Sequence, residues 1–249
     1  MKLTPHAARP EMAAAAAADA AATLGCTLAV RDRAAVVIAT GTSQLEVLAA
    51  LAATPGIPWE RVELFHLDEY CGVPTDHPAS FRRYLRERFV ERLPTPPAAF
   101  HWIAADGDPQ AECRRLASLV PMGDFDLVLC GIGENGHLAF NDPPADFDAT
   151  APYLVVALDE ACRRQQVGEG WFPALEAVPT HAISMSIRRI MAAGTIICSV
   201  PDERKAQAVR DTVEGPVTPA VPASILQRHA DCRLHLDRAA ATLLRPAHG

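Results

Sequence analysis

A chain of 249 residues, 49% hydrophobic and 21% charged, carries enough apolar material for a sizeable core; this excludes disorder throughout and favours one large domain over two small ones. The formal net charge of −7 and a pI near 5.7 exclude the basic surface that nucleic acid or an anionic membrane requires. No unbroken apolar run is longer than that of residues 12–18, which falls short of the ~20 residues of a membrane span.

In chain order, Lys2, His6 and Arg9 precede an alanine run and imitate the start of a secretory signal. Alanine is only weakly apolar and Asp19 follows, so residues 10–24 predict an opening helix on the outside of the domain, within an Ala-rich segment 1–30. Residues 34–39 (AAVVIA) predict a strand, residues 40–43 a turn, and residues 43–53 a helix opened by a capping box of Ser43 and Glu46. Val62, Leu64 and Phe65 mark the next strand, and Phe81, Tyr84, Leu85 and Phe89 fall at helical spacing after Pro78. Further strands are expected at 100–103, 125–130, 153–158, 182–185, 195–200 and 233–236, and helices at 110–119, 202–213 and 223–229. Strands separated by helices give βαβ units, so the expected fold is α/β: a doubly wound, mainly parallel, Rossmann-like sheet with helices on both faces, forming one domain over 1–249. The seven cysteines show no CxxC pair and no zinc spacing, and read as small core residues of a reduced, cytoplasmic protein.

Ligands of such sheets sit beyond the carboxyl ends of the strands, which directs attention to three loops. Residues 40–43 (TGTS) join a strand to a helix, and are either an ordinary serine-capped turn or a cradle for an anion at the positive end of the helix dipole. Residues 66–72 (HLDEYCG) place Asp68 and Glu69 directly after a strand. Neighbouring residues leave a strand on opposite faces, so one carboxylate can aim into a pocket as a general base while the other supports the loop; a solvated turn is the alternative. Residues 131–143 (GIGENGHLAFNDP) put three glycines and His137 after a very apolar strand, with Asp142 five residues on. The GxGxxG spacing lies mid-chain rather than in the first βα unit, which argues against a nicotinamide site.

LDEY at 67–70, GIGENGHLAFNDP at 131–143 and PASILQRHADCRLHLD at 222–237 together resemble the glucosamine-6-phosphate deaminases, a family within the superfamily that also holds 6-phosphogluconolactonase. The resemblance covers roughly residues 30–240. It implies an aldose–ketose isomerisation with deamination, a hydrolytic release of ammonia from glucosamine 6-phosphate without cofactor or metal. It implies that Asp68 is the base moving a proton between C2 and C1, that His137 opens the ring, and that Asp142 pairs with His137 where the family has glutamate. Asn135 lies in the histidine's hydrogen-bonded group where several members carry aspartate. Thr40, Gly41, Thr42 and Ser43 match a phosphate turn and Lys205 a phosphate lysine; Glu69, Gly133 and Gly136 join these as expected substrate-binding positions. Besides Asn135, two departures stand out: residues 163–171 (RRQQVGEGW) offer no arginine where the family grips the phosphate, and residues 151–154 (APYL) lack the basic groups of the allosteric site in hexameric members. The expected partner is a small-molecule amino sugar phosphate, with no nucleic acid and no membrane; assembly into a homo-oligomer stays open. The alternatives are a deaminase of another amino sugar, phosphorylated or not, a 6-phosphogluconolactonase-type hydrolase, and a non-catalytic sugar-phosphate sensor.

Overall fold

A computed structural model describes residues 1–245. In chain order the elements are β1 (Lys2–His6), α1 (Arg9–Val30), β2 (Ala34–Ile38), α2 (Leu45–Ala53), β3 (Val62–His66), β4 (Asp68–Tyr70), α3 (Phe81–Arg88), β5 (Ala99–His101), α4 (Pro109–Leu119), β6 (Leu127–Cys130), β7 (Tyr153–Ala157), α5 (Glu160–Gly168), β8 (His181–Met185), α6 (Ile187–Met191), β9 (Thr195–Val200), α7 (Ala206–Glu214) and β10 (Cys232–Asp237).

Seven strands form one sheet in the order β1-β10-β9-β6-β2-β3-β5, and every neighbouring pair is parallel. Strand periodicity divides the core in two. Val36, Ile38, Leu127, Leu129 and Ile197 face α1, α2 and α3, whereas Val37, Val128, Cys130, Ile196 and Cys198 face Leu116 of α4, Ile187 of α6 and Val209 of α7. Helices therefore cover both faces, as the alternation of strands and helices predicts. The chain runs outward from β2 to β3 and β5, then returns to β6 on the other side of β2, so the switch in strand order lies between β2 and β6. The loops leaving these two strands, 40–43 and 131–143, flank the crevice where open α/β sheets place ligands.

Three strands depart from the predicted parallel arrangement. β4, β8 and β7 pair antiparallel in a separate sheet that packs its own small core of Tyr70, Phe81, Phe140, Cys162 and Phe172. A parallel crossover needs a dozen or more residues, usually a helix long enough to re-traverse the strand; β6 and β7 have no helix between them, and the nine-residue α5 is the one α-helix between β7 and β8. Asp68 thereby begins a strand rather than sitting in a loop. The expected helix at 223–229 is a 3-10 segment, Pro222–Arg228, whose Ala223 N–H is spent on Gly136 O at 2.9 Å, outside the segment. The expected capping box is absent: Gln44 precedes α2, no side chain caps it, and Glu46 instead pairs with Arg9 at 3.1 Å.

α1 continues to Val30 and is long and apolar enough, by length and composition alone, to cross a membrane. In this fold its Met12, Ala16, Ala20 and Leu24 stripe is buried in the domain. None of the cysteines is paired; five are buried as expected, but Cys26 is exposed and Cys71 half-buried.

Candidate active site

Beyond the carboxyl ends of β2 and β6 lies a cavity of about 570 Å³, including its open mouth. Thr40, Gly41, Thr42 and Ser43 line one wall, and Gly133 and His137 a second. Asp68 and Lys205 complete the set of expected residues that meet there. The two loops touch: a Cβ on Gly131 would stand 2.8 Å from Ser43 Oγ, and Gln44 Nε2 donates to Cys130 O at 2.9 Å. Without a cap on α2, the first N–H groups of that helix stay free to face an anion; Ser43 Oγ accepts from Gln44 Nε2 at 3.3 Å, which leaves its O–H to donate, and the Thr40 hydroxyl is buried with no protein partner.

The 131–143 loop is folded around its histidine. Gly133 N donates to His137 O and Gly136 N to Gly133 O, each at 3.0 Å. A Cβ at Gly133 would lie 2.2 Å from the imidazole, so only glycine lets the ring occupy this place. Gly136 supports the same turn at φ +82°, a conformation that L side chains rarely adopt, and it does not itself line the cavity. His137 Nδ1 stands 3.2 Å from Asp142 Oδ1, off the line of a full ring N–H bond. Asp142 is anchored further: its Oδ2 accepts from Asp159 N at 2.9 Å and its Oδ1 from Asn135 Nδ2 at 3.1 Å. Burial alone would raise the Asp142 carboxyl, but the His137 contact and these donors outweigh it and hold the group below its ordinary range. Asn135 also bonds Asp159 Oδ2 at 3.0 Å and accepts from His137 N at 3.1 Å. Asn135 and Asp142 therefore lie behind the histidine, out of the cavity, and act on its orientation.

Asp68 and Glu69 separate as strand geometry requires. Asp68 faces the cavity, where burial first and the Glu69 charge second push its carboxyl up to about 8. Glu69 is fully buried on the other face, where its carboxylate accepts from Tyr70 N, Ser80 Oγ, Phe81 N and Arg82 N at 2.8–3.1 Å and lies 3.5 Å from Arg82 Nε. It anchors the N-terminus of α3 and does not line the cavity, which sets it apart from the substrate-binding role expected of it.

Lys205 enters from the turn before α7 with its side chain only 6% exposed; burial lowers its pKa against the opposing pull of Glu169 and Glu134. Gln165, Gln166 and Glu169 line the same wall and were not among the residues singled out from sequence. Gln166 accepts from the Tyr70 hydroxyl at 2.5 Å. Their one signal was the departure of residues 163–171 from the family pattern, which shows what is missing more readily than what replaces it. Among the described residues, one group of potential metal ligands converges: atoms of His137, Asp142 and Cys162 within 4.8 Å of one another. Burial and the adjacent carboxylates drive the Cys162 thiol far upward, so it stands as a neutral thiol.

The parallel sheet, the crevice at its switch point and the opposed carboxyl and histidine define an α/β protein with acid–base machinery for a small polar ligand. Comparison with known proteins gives this class its family. The model of the glucosamine-6-phosphate isomerase/6-phosphogluconolactonase family matches residues 7–235, and the chain belongs to that family. A glucosamine-6-phosphate deaminase of Exiguobacterium sibiricum is 41% identical over 207 residues, covering 83% of this chain and 80% of that protein. Glucosamine-6-phosphate deaminase 1 of Bacillus subtilis is 37% identical over 200 residues, covering 79% and 80%. A solved structure described as a monomeric glucosamine-6-phosphate deaminase superposes with a TM-score of 0.89 at 32% identity, covering 98% of this chain and all of that one. The 6-phosphogluconolactonase of Trypanosoma brucei, at a TM-score of 0.77 and 21% identity, shares the fold.

Proposed function

We propose that this chain converts glucosamine 6-phosphate and water to fructose 6-phosphate and ammonia. The observation that carries this reading is the meeting of a buried, pocket-facing Asp68 with the His137–Asp142 pair at one cavity that Lys205 also lines. His137 takes the proton of the C1 hydroxyl and returns one to the ring oxygen, which opens the pyranose; Asp142, held ionised by its donors, orients the imidazole and stabilises its cation. Asp68 in its ionised form removes the C2 proton of the open aldose, giving an enolamine, and delivers that proton to C1. The product is a C2 imine, and water adds to it to release ammonia. Water enters only at this last step, so the carbon chemistry is an isomerisation. The 40–43 turn and Lys205 hold the phosphoryl group, and each general acid–base step contributes about 10²- to 10⁴-fold.

The reading is tested by ammonia release from glucosamine 6-phosphate after dialysis against EDTA. Undiminished release together with formation of fructose 6-phosphate is expected. No ammonia from that substrate, or hydrolysis of 6-phosphogluconolactone in its place, overturns the proposal.

A further inference from the structure

Among the described residues, one Lys or Arg side chain lines the cavity, and it is already matched by this protein's own carboxylates. Lys205 Nζ stands 3.7 Å from Glu169 Oε1 and 3.9 Å from Glu134 Oε1, both beyond hydrogen-bond length, so its donors remain open toward the cavity while its charge is compensated. Glu169 does not float: Oε1 accepts from Gln165 Nε2 at 2.7 Å and Oε2 from Trp171 Nε1 at 3.1 Å, and its side chain is only 4% exposed. The nearby Arg204 is engaged by carboxylates of its own, with Nη2 bonded to Asp202 at 2.9 Å and Nη1 3.7 Å from Glu134 Oε1.

A phosphoryl dianion arriving at Lys205 brings only acceptors, and a fixed carboxylate beside it is repulsive. A free hydroxyl brings a donor and an acceptor, and the Glu169–Lys205 pair offers it one of each. On the reading that the sugar's distal end sits at Lys205, we infer that Glu169 is a specificity-determining residue: it holds the phosphoryl subsite at low affinity and lets an amino sugar with a free 6-hydroxyl compete for the cavity. This is discrimination by a built-in repulsive element as much as by an attractive one.

The test is calorimetric binding of 2-amino-2-deoxyglucitol 6-phosphate and of 2-amino-2-deoxyglucitol, which lack the carbonyl and cannot turn over, to the wild-type chain and to Glu169→Gln. The amide keeps the size of the group and can still accept from Trp171 or Gln165. The variant should tighten the phosphorylated ligand by about fivefold or more and leave the unphosphorylated one no tighter. Damage to the fold weakens both ligands, so this opposed movement marks specificity. Glu169→Ala, which removes the charge without leaving an amide, must shift the ratio in the same direction. A smaller gain for the phosphorylated ligand, a parallel gain for both, or no binding of the phosphorylated ligand to any of the three proteins overturns the inference. Because binding is read without turnover, failure here is distinct from failure of the proposed reaction, which ammonia release reports.

Discussion

Asp68 and Glu69 are neighbours in sequence with opposite fates, and both fates are measurable. Asp68 is buried with no cation paired to it, so burial and then the Glu69 charge push its carboxyl up to about 8, and the fraction in the ionised, basic form grows as pH rises through that value. The value of kcat/KM should therefore rise with pH through a midpoint near 8, and a limb that is flat from pH 6 to 9 counts against Asp68 as the base. Asp68→Asn should abolish exchange of the C2 proton with solvent, read by deuterium uptake into the sugar. The same change carries a stability consequence with a definite sign. A carboxyl whose folded pKa is raised contributes stability below its unfolded pKa and loses it as pH rises through the folded value. Asp68→Asn should accordingly melt above wild type at pH 8, with the gap closing toward pH 4; a lower melting point at pH 8 contradicts the burial argument. Burial pushes the Glu69 carboxyl up as well, against the pull of its donors and Arg82; what sets it apart is that its oxygens satisfy three backbone N–H groups and a serine hydroxyl. Glu69→Gln should cost about 1–3 kcal/mol of stability and show as a fall in melting temperature.

At the scale of elements, the 131–143 loop is a rigid holder for one imidazole. Gly133→Ala must drive its methyl into the ring or push the ring from Asp142, and kcat should fall by about 10²-fold or more with the melting temperature barely changed. His137→Gln should impair ring opening more than the later proton transfer, so an open-chain substrate should suffer less than the closed sugar. Equal loss on both would remove ring opening from His137. The 3-10 turn ahead of α7 presents Lys205, and Lys205→Met should raise KM for the phosphorylated sugar by an amount reflecting a charge-assisted bond of roughly 1.5–3 kcal/mol. An unchanged KM would place the phosphoryl group elsewhere.

For the whole molecule, strand order decides which parts matter to chemistry. β1 closes one edge of the parallel sheet against β10, and two strands, β10 and β9, stand between it and β6. Removing residues 1–6 should therefore lower the melting temperature, by exposing the β10 edge and the apolar surface under α1, while KM for the sugar stays close to that of the full chain. A large rise in KM would mean that the edge strand and the crevice are mechanically coupled.

Much of this protein was legible before any coordinate. The strands at 34–39, 125–130 and 195–200 declare themselves because strands buried on both faces are rich in apolar residues, with few polar breaks such as Asp126 and Ser199. The pattern alone left His137 and Asp68 open, since adjacent carboxylates at a strand end also make solvated turns; the resemblance of their two loops to a known family is what singled them out. Three things required the tertiary structure. The antiparallel pairing of β4, β7 and β8 follows from which strands meet, and composition does not record that. The division of Asp68 from Glu69 depends on the face each takes in β4, which only the partner strand and the N-terminus of α3 decide. Glu169 beside Lys205 is a contact between residues 36 positions apart, each ordinary in its own segment; their meeting depends on how α5 and the turn before α7 pack over the crevice, and no local pattern encodes that packing.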